Sequence, residues 1–228
     1  MHNVLSPELG AKLVTLTAAI VLVLQIAMAA QRWLVTNIRI FGLQSFFLAL
    51  IAGTIATFNA APHLFIAAVL TLLVKAIMVP ILLERLVGRI EIRQEIEPFI
   101  NAPISVLISG GLTLVGYIVA ASFYRPDQTA GPSSLGHNTL AVAISLFLIG
   151  FFTMINRRKA LTQVLALLSL ENGLFLATIS LTYGMPLIVE LGVFFDVLVA
   201  VLVLAILVYR IRENFESMDV SRLRRLQG

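Results

Sequence analysis

Four ionisable side chains stand inside long apolar runs. They are Lys75 in 71-TLLVKAIMVPILL-83, Glu171 in 165-LALLSLENGLFLA-177, and Glu190 and Asp196 in 187-LIVELGVFFDVLVAVLVLAILV-208. At ~1.5 Å per residue, Lys75, Glu171 and Asp196 each fall about 15–18 Å into their segments, the middle of a ~30 Å hydrocarbon layer. Glu190 lies about one turn from a segment end. A charge at that depth costs about 2.5–3.5 kcal/mol on insertion scales and marks an ion or proton path by default. Burial disfavours charge on acids and bases alike, so a buried acid and a buried ammonium ion can trade a proton as a coupled set. The proton-path candidates are therefore Glu171, Lys75, Asp196 and Glu190, with Asn172 and Gln44 as supporting polar groups able to hold bridging waters. The alternative is structural: an ion pair gluing helices together, although such pairs add little net stability once desolvation is counted.

The elements that carry these residues are membrane helices. The chain has 228 residues, of which 59% are hydrophobic and 12% charged, against about 25% charged in soluble domains. Seven apolar spans are expected, near 11–30, 41–59, 63–86, 102–123, 138–156, 161–182 and 186–209. Their backbone groups must bond internally, which makes them helices. The fold expected is all-α, a polytopic bundle. With the amino terminus outside, 13 of the 16 Lys and Arg residues fall in the inner segments. That predicts a multi-pass protein with its carboxy terminus in the cytoplasm. The same bias accounts for a net charge of +4 without nucleic acid. The run 27-AMAA-30 lacks the basic flank of a cleaved leader, so the first span is expected to stay. With no cysteine, the chain offers no thiolate for a metal or cluster.

The first and last three spans share a layout: a basic inner loop (31-QRWLVTNIR-39 or 156-NRRK-159), a helix with Gln44 or Glu171 among leucines, a short outer turn, then a helix with Lys75 or Asp196. This suggests two parallel three-helix units: residues 1–100, and residues 131–228 with a basic tail. A linking helix over 101–130 would join them. Gln44 is expected nearer the inner surface than Glu171. Gly110, Gly111 and Gly116 are expected to let the fourth span approach a neighbour, and Gly173 to admit a helix or water. Pro80 should free the carbonyl of residue 76 and bend the third helix, opening space near Lys75. The segment 89-RIEIRQEIE-97 alternates charge with isoleucine. It reads either as a solvated loop or as a docking strip for another subunit. The stretch 125-RPDQTAGPSSLGHN-138 reads as connector.

The residues 157-RRKALTQVLALLSLENGLFLA-177 and 185-MPLIVELGVFFDVLVAVLVLAILVYRI-211, with the lysine helix 71-TLLVKAIMVPILLERL-86, resemble the hydrogenase-4 component E family. The last three helices are also similar to the small K component of respiratory complex I and to the C component of multisubunit (Mrp-type) sodium/proton antiporters. The K component carries a glutamate in each of its last two helices; Glu171 matches the first and Asp196 corresponds to the second. The resemblance implies a bacterial inner-membrane subunit that helps translocate protons beside other membrane subunits, some antiporter-like and some resembling the H component of complex I. Peripheral hydrogenase-like subunits would hold the iron–sulfur and nickel–iron centres. It leaves open a purely scaffolding role, or membership of a cation/proton antiporter-like assembly.

Overall fold

The computed structural model describes residues 7–58, 62–89, 98–123 and 133–182. The seventh expected span, with Glu190 and Asp196, lies outside the described residues, as do the 90–97 strip and the basic tail. Helix α1 covers Pro7–Ala30 and α2 Leu34–Phe58. A third rod combines α3 (Pro62–Leu70), a π-helical segment (Thr71–Met78) and α4 (Val79–Arg89). Helices α5 (Ala102–Phe123), α6 (Ser133–Ile155) and α7 (Ala160–Thr182) follow. Among the described residues, five helical stretches are long and apolar enough to cross a membrane, and Thr139–Ile155 adds a shorter apolar one. The protein is a helical membrane bundle.

Local sequence explains the ends. Proline opens α1 and α3, where its missing N–H is one that no helix would satisfy. Between α1 and α2 only residues 31–33 intervene. There Gln31 Oε1 accepts from the backbone N–H of Arg32 at 2.8 Å and of Trp33 at 3.3 Å, doing the work of a cap. The loop expected over 31–39 is therefore shorter, and α2 begins seven residues before the expected span. Arg39 belongs to that helix. The structure accommodates it because it lies near the helix end, exposed, with its Nε 2.9 Å from Glu84 of α4. The hydroxyls of Ser109, Thr153 and Ser180 bond to carbonyls one turn back, at Ser105, Ile149 and Leu176, so these three bring no unsatisfied donor into the bundle.

Two large apolar clusters fill most of the bundle, and a smaller third one joins α5 and α6 at Ala120, Leu140 and Ala141. One, towards the loop between α2 and α3, gathers Val21, Leu48, Leu64, Leu146, Phe175 and Ile179 among others. The other, towards the α1–α2 turn, gathers Met28, Ile38, Phe41, Val79, Leu83 and Leu165. Close helix approach is set by glycines. A Cβ on Gly173 would stand 2.7 Å from the Phe147 amide nitrogen, and one on Gly150 would stand 2.8 Å from the Leu170 Cα, so α6 and α7 meet backbone to backbone. Gly116 likewise packs on Ser145 of α6. Gly110 and Gly111 do not share this role. No described atom lies within 4 Å of a Cβ built at either, because both lie on an exposed stretch of α5.

Candidate functional site: a polar layer between two apolar clusters

Lys75 and Glu171 meet. The Lys75 Nζ lies 3.2 Å from Glu171 Oε1, and each residue is 2% exposed. The ammonium also donates to Asn172 Oδ1 at 3.4 Å and lies 5.6 Å from the centre of the Phe175 ring. Two adjacent residues of α7 thus grip one lysine from the third rod, 97 positions away. The side chain of Lys75 projects from the π-helical segment, whose wider turn is visible in the Val79 N–H bonding the Val74 carbonyl, five residues back. Thr71, one turn earlier, is buried like Lys75, and its hydroxyl has no hydrogen-bond partner among the described residues. Pro80 and the Ala76 carbonyl, where sequence suggests an opening, are approached by α2 instead. A Cβ on Gly42 would stand 2.9 Å from Pro80 Cγ and 3.2 Å from the Ala76 oxygen. Gly42 thereby lets α2 pack closely on the third rod.

From Lys75 the polar contacts continue in one direction. Asn172 Nδ2 donates to Gln44 Oε1 at 3.1 Å and to Ser45 Oγ at 3.2 Å. Gln44 Nε2 donates to Gln25 Oε1 at 2.7 Å, and Ser169 Oγ donates to that same oxygen. All these residues are buried. Four rods (α1, α2, the third rod and α7) contribute to this layer, and it sits between the two apolar clusters. The chemistry of lysine fixes the order. An ammonium ion only donates, so Asn172 must offer it oxygen and turn its nitrogen to Gln44. Gln44 must then accept from Asn172 and donate to Gln25. Such a head-to-tail series of amides in a low-dielectric interior is mutually polarised and favours a single arrangement.

Gln44 lies at the level of Glu171, not nearer the inner surface as expected. Because α2 starts at Leu34, Gln44 is ten residues into its helix, or about 15 Å. Gln25, Ser45, Ser169 and Thr71 do not stand out in the sequence. Their signal is faint: each is one neutral polar residue in an apolar run, and hydropathy averages it away. Asp196 and Glu190 lie outside the described residues, so no contact of theirs with the layer is described.

Arg157 is expected in a basic loop. The structure buries it to 1% exposure in the α6–α7 turn, with its Nη2 donating to the carbonyls of Met28, Ala29 and Gln31 at 3.0–3.1 Å. It neutralises the bare carbonyl end of α1. Desolvation by burial lowers its pKa to about 10, which leaves it cationic at neutral pH. Next to it, Asn156 Oδ1 accepts from the Ile100 N–H at 2.9 Å and its carbonyl accepts from the Phe99 N–H at 3.1 Å. Arg158 stacks on the Phe99 ring, 4.3 Å from its centre. The segment leading into α5 is thereby pinned to the α6–α7 turn. Among the described residues no group of three or more His, Asp or Glu side chains is placed to hold a metal ion.

The chain is 36% identical over 157 residues to the uncharacterized protein Rv0085 of Mycobacterium tuberculosis, covering 68% of this chain and 69% of that one. It is 26% identical over 185 residues to hydrogenase-4 component E of Escherichia coli K12, covering 81% of this chain and 83% of that protein, and equally similar to the protein of that name in Shigella flexneri. No family model and no solved structure matches the chain. A helical membrane bundle 36% identical to the Rv0085 protein over 68% of its length belongs to that protein's family, and it is similar to the hydrogenase-4 component E proteins over four fifths of its length.

Proposed function

We propose that the chain is a membrane subunit of a hydrogenase-type complex, and that the Lys75–Glu171 pair is a station on its transmembrane proton path. The observation that carries the reading is the ion pair itself. It is 3.2 Å long, almost fully buried, placed at mid-bundle, and backed by polar groups from four rods. A packing device has no need of this arrangement, since buried pairs are rarely worth more than the apolar residues that could replace them. The carboxylate of Glu171 accepts a proton when the ammonium of Lys75 withdraws, and releases it when the ammonium returns. Each passage moves one proton and regenerates the pair. Asn172 and Phe175 hold the ammonium in reach, so the exchange needs only a lysine rotamer change. Asp196 serves as the next carrier and Glu190 as the outer access point.

In this reading, redox chemistry in peripheral hydrogenase-like subunits drives the exchange. Iron–sulfur and nickel–iron centres belong to those partners. Membrane subunits of the antiporter-like and complex I H-like kinds lie beside this chain in a bacterial inner membrane. The amino terminus faces outward and the carboxy terminus the cytoplasm. Purification in mild detergent tests membership: subunits carrying iron–sulfur centres should co-purify, and a chain that runs alone and moves ions in liposomes would contradict it. Glu171→Gln tests the site, and should leave assembly intact while reducing proton movement.

A further inference from the structure

Thr71 is fully buried, yet its hydroxyl has no hydrogen-bond partner among the described residues. Elsewhere in the bundle Thr54, Thr113 and Thr153 each donate to the carbonyl one turn back, at 2.7–2.8 Å, which satisfies a hydroxyl inside a helix. Thr71 opens the π-helical segment, and Lys75 follows it by four residues. They are the two buried residues of that segment, so they share its inward face. Helical side chains lean back towards the amino-terminal end of their helix. The long side chain of Lys75 therefore runs in the direction of Thr71. Phe175 stands opposite. The third rod passes from Leu64 in the first apolar cluster to Leu83 in the second, while α7 passes from Leu165 in the second to Phe175 and Ile179 in the first. The two rods are thus antiparallel. Thr71, one turn from Lys75, and Phe175, one turn from Glu171, lie on the same side of the ion pair, towards the first cluster. The ammonium already stands 5.6 Å from the centre of the Phe175 ring.

We propose that the Thr71 hydroxyl and the Phe175 ring form a second seat for the Lys75 ammonium, one turn from Glu171 on the side of the first apolar cluster, and that the lysine occupies it when Glu171 is neutral. The inference rests on the proposed role of the pair and says where the lysine goes when it withdraws. A bare ammonium ion in an apolar interior is very costly, so a withdrawn lysine needs a partner. The seat suits it. A hydroxyl oxygen has lone pairs to accept an ammonium N–H, and a ring face attracts a cation, more strongly away from water. Both lie within the sweep of one lysine side chain whose backbone stays in place. Thr71 keeps its own proton throughout and is a positioning residue, as is Phe175.

Solid-state nuclear magnetic resonance of the full-length chain in lipid bilayers reads the seat directly. The probe is the dipolar contact between isotope-labelled Lys75 Nζ and Thr71 Cβ, with the two signals assigned by their loss in Lys75→Met and Thr71→Ser. Glu171→Gln holds position 171 neutral. The contact should be absent in the unaltered chain and present in Glu171→Gln at about 4 Å, the separation set by a hydrogen bond to the hydroxyl. Contact in neither protein, equal contact in both, or contact in the unaltered chain alone overturns the seat. Proton movement by the assembled complex in membrane vesicles is the second arm, and keeps the test decisive if Glu171→Gln does not fold. Thr71→Val keeps the shape and removes the lone pairs. It should slow proton movement by about tenfold, the effect of losing one hydrogen bond to a charged group, and Thr71→Ser should restore it. An unchanged rate in Thr71→Val overturns the seat and leaves the role of Glu171 standing. A loss that Thr71→Ser fails to restore marks a packing defect and also overturns the seat. Normal proton movement in Glu171→Gln overturns the role of Glu171 and the seat with it.

Discussion

Removing one partner of the Lys75–Glu171 pair strands the other in a site where each residue is 2% exposed. Breaking a buried pair in this way costs about 3–5 kcal/mol, whereas removing both charges is often neutral. Lys75→Met and Glu171→Gln should therefore each destabilise the bundle by about 3–5 kcal/mol, the first by stranding the carboxylate and the second by stranding the ammonium. The double variant should lie within about 1 kcal/mol of the unaltered protein. Reversible unfolding in mixed micelles reads all three. Single-variant penalties below about 1 kcal/mol, or a double variant as unstable as the singles, would refute the claim that these two charges depend on each other.

Gly173→Ala places a Cβ 2.7 Å from the Phe147 nitrogen, and forcing α6 and α7 apart should lose about 1–3 kcal/mol in the same unfolding assay. Gly110→Ala has open space and should change stability by no more than about 1 kcal/mol, in the favourable direction. Arg157→Met removes three bonds to the carbonyl end of α1 and should lower the thermal unfolding temperature, with hydrogen exchange accelerated first in the last turn of α1. Gly42→Ala presses on Pro80 and the Ala76 carbonyl. It should displace the π-helical segment and lower proton movement without abolishing assembly, as seen in a transport assay beside a native gel.

Much of the bundle is legible in the sequence because membrane helices announce themselves through uninterrupted apolar length. The span expected over 102–123 coincides with α5, and Lys75 and Glu171 stand out because a charge in hydrocarbon is rare. The start of α2 is misplaced for the converse reason. Arg39 looks like loop, yet an exposed partner at 2.9 Å in Glu84 lets it stay helical. That shift of seven residues moves Gln44 towards the surface and hides its place beside Asn172. Gln25 and Ser169 are illegible for a different reason. A neutral amide or hydroxyl is cheap enough in a helix to pass as filler, and only the third dimension shows that it lines up with others. The π-helical turn carrying Lys75 leaves no mark in composition.

The most direct test of the central claim is the number of protons moved per electron pair in inverted membrane vesicles containing the complex, compared between the unaltered chain and Glu171→Gln. The proton-path role predicts equal electron transfer per assembled complex under an uncoupler, with the protons moved per electron pair reduced by at least half. Normal proton movement in the Glu171→Gln complex would contradict it, and would leave the pair as a strut between α7 and the third rod.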